Sequence, residues 1–159
     1  MEEIEIAKGL TKELLERMGV RAEVEGLWKE GNLYLEIRGG QEGILIGKHG
    51  RTLEALQMLL NRMVSKRLKS ATRVVLDVDD YRKRRAESMA QMALRLGDEA
   101  KRTGHSQVAG LLNAYDRRII HLTLKEDPFL ETESIGEGEL KRVKIIPVKD
   151  RDNPLKQFE

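Results

Sequence analysis

The chain has 159 residues, 40% of them apolar, enough for the core of one medium domain or of two small ones. Its formal charge is only +2 and it has no cysteine, which excludes disulfides, cysteine nucleophiles and thiolate metal sites and fits a reducing compartment. The start, Met1-Glu2-Glu3-Ile4-Glu5, is acidic where a signal peptide would be basic, and no apolar run would span a bilayer, so a cytoplasmic protein without membrane insertion is expected.

In chain order, Ile6, Leu10, Leu14, Leu15 and Met18 recur at helical spacing over residues 3–18, and Gly19 can end that helix. Arg21 to Trp28 alternates around Ala22, Val24 and Gly26. Asn32 to Arg38 sets Leu33, Leu35 and Ile37 on one face, with Glu30-Gly31-Asn32 as the turn between the two strands. A short apolar helix, Gly43 to Ile46, runs into Gly47-Lys48-His49-Gly50. A long helix follows, burying Leu53, Leu56, Leu60, Met63 and Val64 and exposing Arg62, Lys66 and Lys69. Arg73 to Val78 reads as a strand.

Asp79 or Asp80 can cap a new helix, with Met89, Ala93, Leu96 and Ala100 on its buried side; Gly97 weakens it and Gly104 ends it. A strand from Gln107 to Leu111, an N-cap at Asn113 and a helix from Ala114 to Lys125 precede Asp127-Pro128. Phe129 to Ile135 and Leu140 to Val148 form a hairpin around Gly136-Glu137-Gly138. The polar tail from Lys149 to Glu159 is expected to be loose.

The small net charge hides an asymmetry. From Met1 to Gly40 there are nine acidic and six basic residues. From Gly47 to Arg73, Lys48, Arg51, Arg62, Lys66, Arg67, Lys69 and Arg73 stand against Glu54 alone. A phosphate chain responds to local charge rather than to the total; a solvated helix face would account for the cluster as well.

The stretch Ile44 to Arg51 carries the most chemistry. Gly47 and Gly50 leave room for a sugar-phosphate backbone to approach the main chain, and the helix that follows presents its positive end to a phosphate. Lys48 and Arg51 add charge, and Ile44 and Ile46 would floor a groove for unstacked bases. A plain helix-helix turn has the same glycine spacing. A Walker-type loop does not fit, because the Gly-Lys-Ser/Thr ending is missing. His49 is either a backbone contact, protonated beside phosphate, or a solvent-facing histidine.

A second cluster lies in the helix after Asn113. Arg117 and His121 are four apart and share a face, with Arg118 and Lys125 in the same quadrant. Tyr115, Ile119, Ile120, Leu122 and Leu124 take the remaining, buried arc. The basic side suits phosphates, with arginine offering a fork and histidine a switchable donor. An ordinary amphipathic helix with a basic exterior shows the same spacing.

Ile46-Gly-Lys-His-Gly50 resembles the signature of a K-homology (KH) domain, and the element order resembles its type II, bacterial form. Arg117-x-x-x-His121 resembles the signature of the R-3-H domain, named for that arginine and histidine. The two in succession resemble the bacterial Jag (KhpB) family over about residues 3–148, on Ile46 to Gln57, Asp79 to Arg85 and Asp116 to Leu122. The resemblance implies an α+β chain of two small domains: a type II KH domain at residues 1–79, with helices on a three-stranded sheet, then an R-3-H α/β domain at 80–149 and a loose tail at 150–159.

It further implies a non-enzymatic protein that binds RNA or single-stranded DNA, without cofactor. Ile46, Gly47, Lys48, His49, Gly50 and Arg51 would clamp about four unpaired nucleotides. Arg117, Arg118, His121 and Lys125 would form the second site, and Arg82, Lys83, Arg84 and Arg85 would bridge the two. It implies a role as an RNA regulator or chaperone linked to cell shape and division, and a partner with a single KH domain or self-association. Many members carry an N-terminal Jag-N domain and linker that this sequence does not show, which leaves functions tied to that domain, including one at the membrane insertase, open.

Two other classes stand beside the binder. Asp77, Asp79 and Asp80 would serve a Mg²⁺-dependent nuclease, although a strand end and a helix cap explain them; a scaffold would use the KH fold for protein alone. The histidines at 49, 105 and 121 have no metal-ligand spacing, and no serine lies in a nucleophile elbow.

Overall fold

In the computed structural model, which describes residues 1–148, helix α1 (Glu2–Arg17) buries Ala7, Thr11 and Leu15, spaced four apart on one face. The Thr11 hydroxyl is satisfied in that apolar setting by donating to the Ala7 carbonyl at 2.8 Å. Strands β1 (Glu23–Lys29) and β2 (Asn32–Arg38) are antiparallel, joined through Glu30 and Gly31, whose φ values of 51° and 75° give the left-handed pair that a two-residue hairpin needs. Helix α2 (Glu42–Ile46), a 3-10 turn at Lys48–Gly50 and helix α3 (Arg51–Leu68) then carry the chain to β3 (Val74–Val78), which lies parallel to β2. The sheet order is β1-β2-β3.

The inward residues Val24, Leu33, Leu35, Ile37, Val74, Leu76 and Val78 meet Leu53, Leu56, Leu60 and Val64 of α3 in one buried cluster. Full burial of each such side chain contributes about 1.5–3 kcal/mol. Edge strand β3 is not left open. Asn61 donates to the Val74 carbonyl and accepts from its N–H, at 2.9 and 2.7 Å; the Gln57 side-chain Oε1 accepts from the Leu76 N–H, and Arg82 donates to the Leu76 carbonyl. These bonds occupy the groups that another strand would seek.

The chain divides into two compact units, Met1–Arg82 and from Lys83 onward, each with its own apolar core. Helix α4 (Tyr81–Thr103) begins after Asp79 and Asp80, both in the left-handed region at φ 46° and 54°. The expected cap at Asp79 or Asp80 is corrected: the carboxylate that accepts from the Arg82 N–H, at 3.3 Å, is that of Asp77. Gly97, expected to weaken the helix, is buried because a Cβ there would stand 2.8 Å from Leu130 and 3.2 Å from Leu124. Its missing side chain is what lets the neighbouring leucines pack down on α4.

In the second unit β4 (Gln107–Leu112), β5 (Leu130–Ile135) and β6 (Lys141–Pro147) form an antiparallel sheet of order β4-β6-β5, with α5 (Ala114–Leu124) between β4 and β5. Asn113 caps α5 by accepting from the Asp116 N–H at 2.8 Å. The Asp116 carboxylate is buried and receives Arg85 of α4, Nη2 at 2.7 Å and Nε at 3.1 Å, which ties α4 to α5. Gly136 and Gly138 take positive φ in the β5-β6 turn. The tail from Lys149 lies outside the described residues.

Candidate nucleic-acid interface

The glycine loop is a strained corner at the head of α3. Gly47 (φ 71°, ψ −177°) occupies a region open essentially to glycine alone, and His49 and Gly50 are left-handed at φ 57° and 75°. Both glycines have neighbours on the side that a Cβ would take. A Cβ on Gly47 would collide with the Thr52 hydroxyl, and one on Gly50 would meet the Tyr81 ring at 3.4 Å. On that side stand the chain's own Thr52 and Tyr81. The glycines shape the loop, and the side chains beside them make its surface. Lys48 and Arg51 are exposed, His49 is half-buried and Gly50 is buried. Ile46 belongs to the core, whereas Ile44 is 48% exposed, so only one of the two isoleucines offers apolar surface.

On α5 the basic face splits in two. Arg117 turns its Nη1 to the carbonyls of Leu112, at 2.6 Å, and Glu139, at 3.1 Å, holding the ends of β4 and the β5-β6 turn. His121 stands between two hydroxyls of β5, Nδ1 at 2.6 Å from Thr132 Oγ1 and Nε2 at 3.0 Å from Ser134 Oγ. Burial, and then the charge of Arg117, hold the imidazole below its ordinary pKa and favour its neutral form. Arg118 and Lys125 remain exposed. The expectation that Tyr115 and Leu122 lie on the buried arc is also corrected, because they are 51% and 57% exposed. Helix α5 buries a narrower line, Asp116, Ile120 and Leu124, one residue in every four.

The four junction residues do not act alike. Arg82 donates to Gln57 at 3.0 Å and to the Leu76 carbonyl at 3.1 Å, all within the first unit. Arg85 is committed to Asp116 in the second. Lys83 and Arg84 are exposed. Asp77, Asp79 and Asp80 are likewise engaged: Asp77 with the Arg82 N–H, Asp79 with the Gly39 N–H at 3.4 Å and Asp80 with Arg38 at 3.2 Å. Among the described residues no group of three or more histidine, aspartate or glutamate side chains is gathered as a metal site, and no helix is long and apolar enough to cross a membrane.

Sequence reading missed Tyr81, Thr52, Thr132 and Ser134. Only the last pair carried a local signal, since residues two apart on a strand share a face.

A turn of this kind before a long helix on a β1-β2-β3 sheet, followed by an arginine–histidine helix on a second sheet, defines a tandem of KH and R-3-H domains. Residues 5–78 match the family model of the KhpA/KhpB KH domain, and residues 87–147 match that of the R-3-H domain. The chain belongs to the KhpB (Jag) family. It is 39% identical over 136 residues to the RNA-binding protein KhpB of Clostridium symbiosum, covering 86% of this chain and 60% of that protein. It is 35% identical over 125 residues to the protein of the same name from Lactiplantibacillus plantarum, covering 77% of this chain and 38% of that protein. The Bacillus subtilis protein of that name is 29% identical over 144 residues, covering 89% of this chain and 69% of the relative.

Proposed function

We propose that the chain binds single-stranded RNA through its glycine loop, as a binder without chemistry. The observation that carries this reading is the pair of exposed cations, Lys48 and Arg51, fixed on a rigid corner at the start of an 18-residue helix. The helix end and the two cations favour negative charge at one point, and Ile44 lies beside it as apolar surface for a base. The name shared by the relatives agrees with this chemistry. In the second unit Arg118 and Lys125 draw the phosphate chain in. Arg117 and His121 position a polar surface on which the hydroxyls of Thr132 and Ser134 are the groups that meet it. Single-stranded DNA offers the same phosphates, and the RNA 2′-hydroxyl is what would separate the two. The cellular role that follows from the family is RNA regulation linked to cell shape and division, alongside a single-KH partner.

The test is fluorescence anisotropy with a labelled single-stranded RNA, its duplex form and the matching DNA at fixed salt. The reading expects the single-stranded RNA to bind most tightly and the Lys48→Asp/His49→Asp variant to bind it at least tenfold more weakly. Equal affinity of the variant removes the loop from the site, and absence of any RNA binding leaves a protein-only scaffold.

A further inference from the structure

Helix α5 has an outer ridge that its signature arginine and histidine do not use. At about 100° per residue, the order round the helix is Arg117, His121, Lys125, Arg118, Leu122 and Tyr115, over roughly 160°. Arg117 and His121, at one edge, are bonded inward to the Leu112 and Glu139 carbonyls and to the Thr132 and Ser134 hydroxyls. Lys125 and Arg118 come next. Both are exposed, and among the described residues neither meets a carboxylate. Beyond them stand Leu122 and Tyr115, both open to solvent. Along the helix axis the same residues alternate, Tyr115, Arg118, Leu122 and Lys125, at steps of three, four and three, so each touches the next on the surface. The one acid within α5, Asp116, is buried against Arg85.

A single exposed leucine or tyrosine is ordinary on a protein surface. The interleaving is what gives this pair meaning. Cations beside an aromatic ring are the combination that holds a single strand: the charges track the backbone, and the ring offers a face to a base. The ring is also held in place. Tyr115 lies between the Asn113 cap, which accepts from the Asp116 N–H at 2.8 Å, and Asp116 itself, which Arg85 anchors. A tyrosine on fixed backbone has two side-chain torsions left to order, so stacking on it costs little entropy. A protein contact of standard size buries about 800 Å² on each side. Two apolar side chains on an 11-residue helix do not supply that area, and a base on one ring does not need it.

We propose that Tyr115 is a base-stacking residue on a ridge that takes a segment of single-stranded RNA. Phosphates lie over Arg118 and Lys125, a base lies on the Tyr115 ring, and Leu122, two turns on, is a second apolar contact. This rests on the reading that the chain binds single-stranded RNA, and it names the side chain of the second unit that meets a base. The strand then follows the helix on the side where the cations are free, with His121 and its hydroxyls along one margin and Tyr115 along the other.

Fluorescence anisotropy of the full chain with a labelled single-stranded RNA of mixed sequence, over a range of salt, tests this. The variants are Tyr115→Ala, Tyr115→Phe and Arg118→Ala, beside the loop variant Lys48→Asp/His49→Asp. Thermal melting first confirms that each is folded. Tyr115→Ala is expected to weaken binding by roughly fivefold or more, the loss of one stacked base, with the salt slope unchanged. Tyr115→Phe keeps the ring and should bind as wild type does. Arg118→Ala should lower the log–log salt slope by roughly 0.7, one phosphate contact. Equal affinity of Tyr115→Ala and wild type overturns the proposal. So does an equal loss in Tyr115→Phe, which would assign the effect to the hydroxyl, or a changed slope in Tyr115→Ala, which would mean that the ring acts through the cations. Binding that the loop variant loses and Tyr115→Ala keeps removes the stacking site and leaves the loop reading standing. Absence of RNA binding in wild type removes both.

Discussion

The glycine loop and helix α5 both carry basic residues, but they use them differently. At the loop, Lys48 and Arg51 project from a backbone whose shape is fixed by Gly47, Thr52 and Tyr81, and both side chains are exposed. On α5, Arg117 is bonded to two carbonyls and His121 to two hydroxyls, so these two signature residues first hold the fold. A cation on the surface supplies affinity that depends on salt; a cation fixed on carbonyls supplies shape. Substitution of Lys48 should change binding alone, and substitution of Arg117 or His121 should change stability first.

The sharpest break is at Asp116. Asp116→Ala removes the buried carboxylate that Arg85 pairs with, costing about 3 kcal/mol, the lower end for a broken buried pair because Arg85 is partly exposed. Amide exchange would show protection lost in β4 to β6 and retained in β1 to β3; uniform loss would mean that the cores do not unfold separately. Next comes Arg117→Ala, which releases two charge-assisted bonds and should cost about 1.5–3 kcal/mol in urea unfolding of the second unit. Lys48→Ala, by contrast, should leave stability within about 0.5 kcal/mol and lower the salt dependence of single-stranded RNA binding by roughly 0.7 in log–log slope, the value for one phosphate contact.

The smallest effect is electrostatic and belongs to His121. Its pKa in the fold lies below the ordinary 6.5, so the unfolded chain takes up the proton more readily. Stability of the second unit is therefore complete above that ordinary value and falls as pH drops through it. A phosphate seated beside the ring would act in the opposite direction. NMR titration of the His121 ring should show a depressed pKa that rises on adding RNA, with RNA affinity increasing as pH falls. A pKa unmoved by RNA would place the phosphate away from this histidine.

Much of the frame is legible in the sequence because it is local. The turn at Glu30-Gly31, the stripe from Leu53 to Val64 and the Asn113 cap each follow from residues within one or two turns of each other. The glycine loop and the arginine–histidine pair are also visible by spacing. What spacing does not carry is the partner on the other side. Gly97 reads as a defect until Leu124 and Leu130 are packed against it. Nothing near Gly50 in the sequence points to Tyr81, 31 residues on, which packs beside it. Arg117 and His121 read as a free basic face until Glu139, Thr132 and Ser134 arrive from a hairpin later in the chain. Each of these misreadings replaces a tertiary contact with solvent, and helix periodicity has no term for such contacts.

The claim on which the functional account turns is that the loop's exposed cations hold a single-stranded polyanion. The direct measurement is the salt dependence of the RNA dissociation constant for wild type and for Lys48→Asp/His49→Asp, the second variant first shown by thermal melting to be folded. The account predicts a weaker constant and a shallower log–log slope in the variant, because fewer counterions are released on binding. Two parallel lines with the same intercept would contradict it.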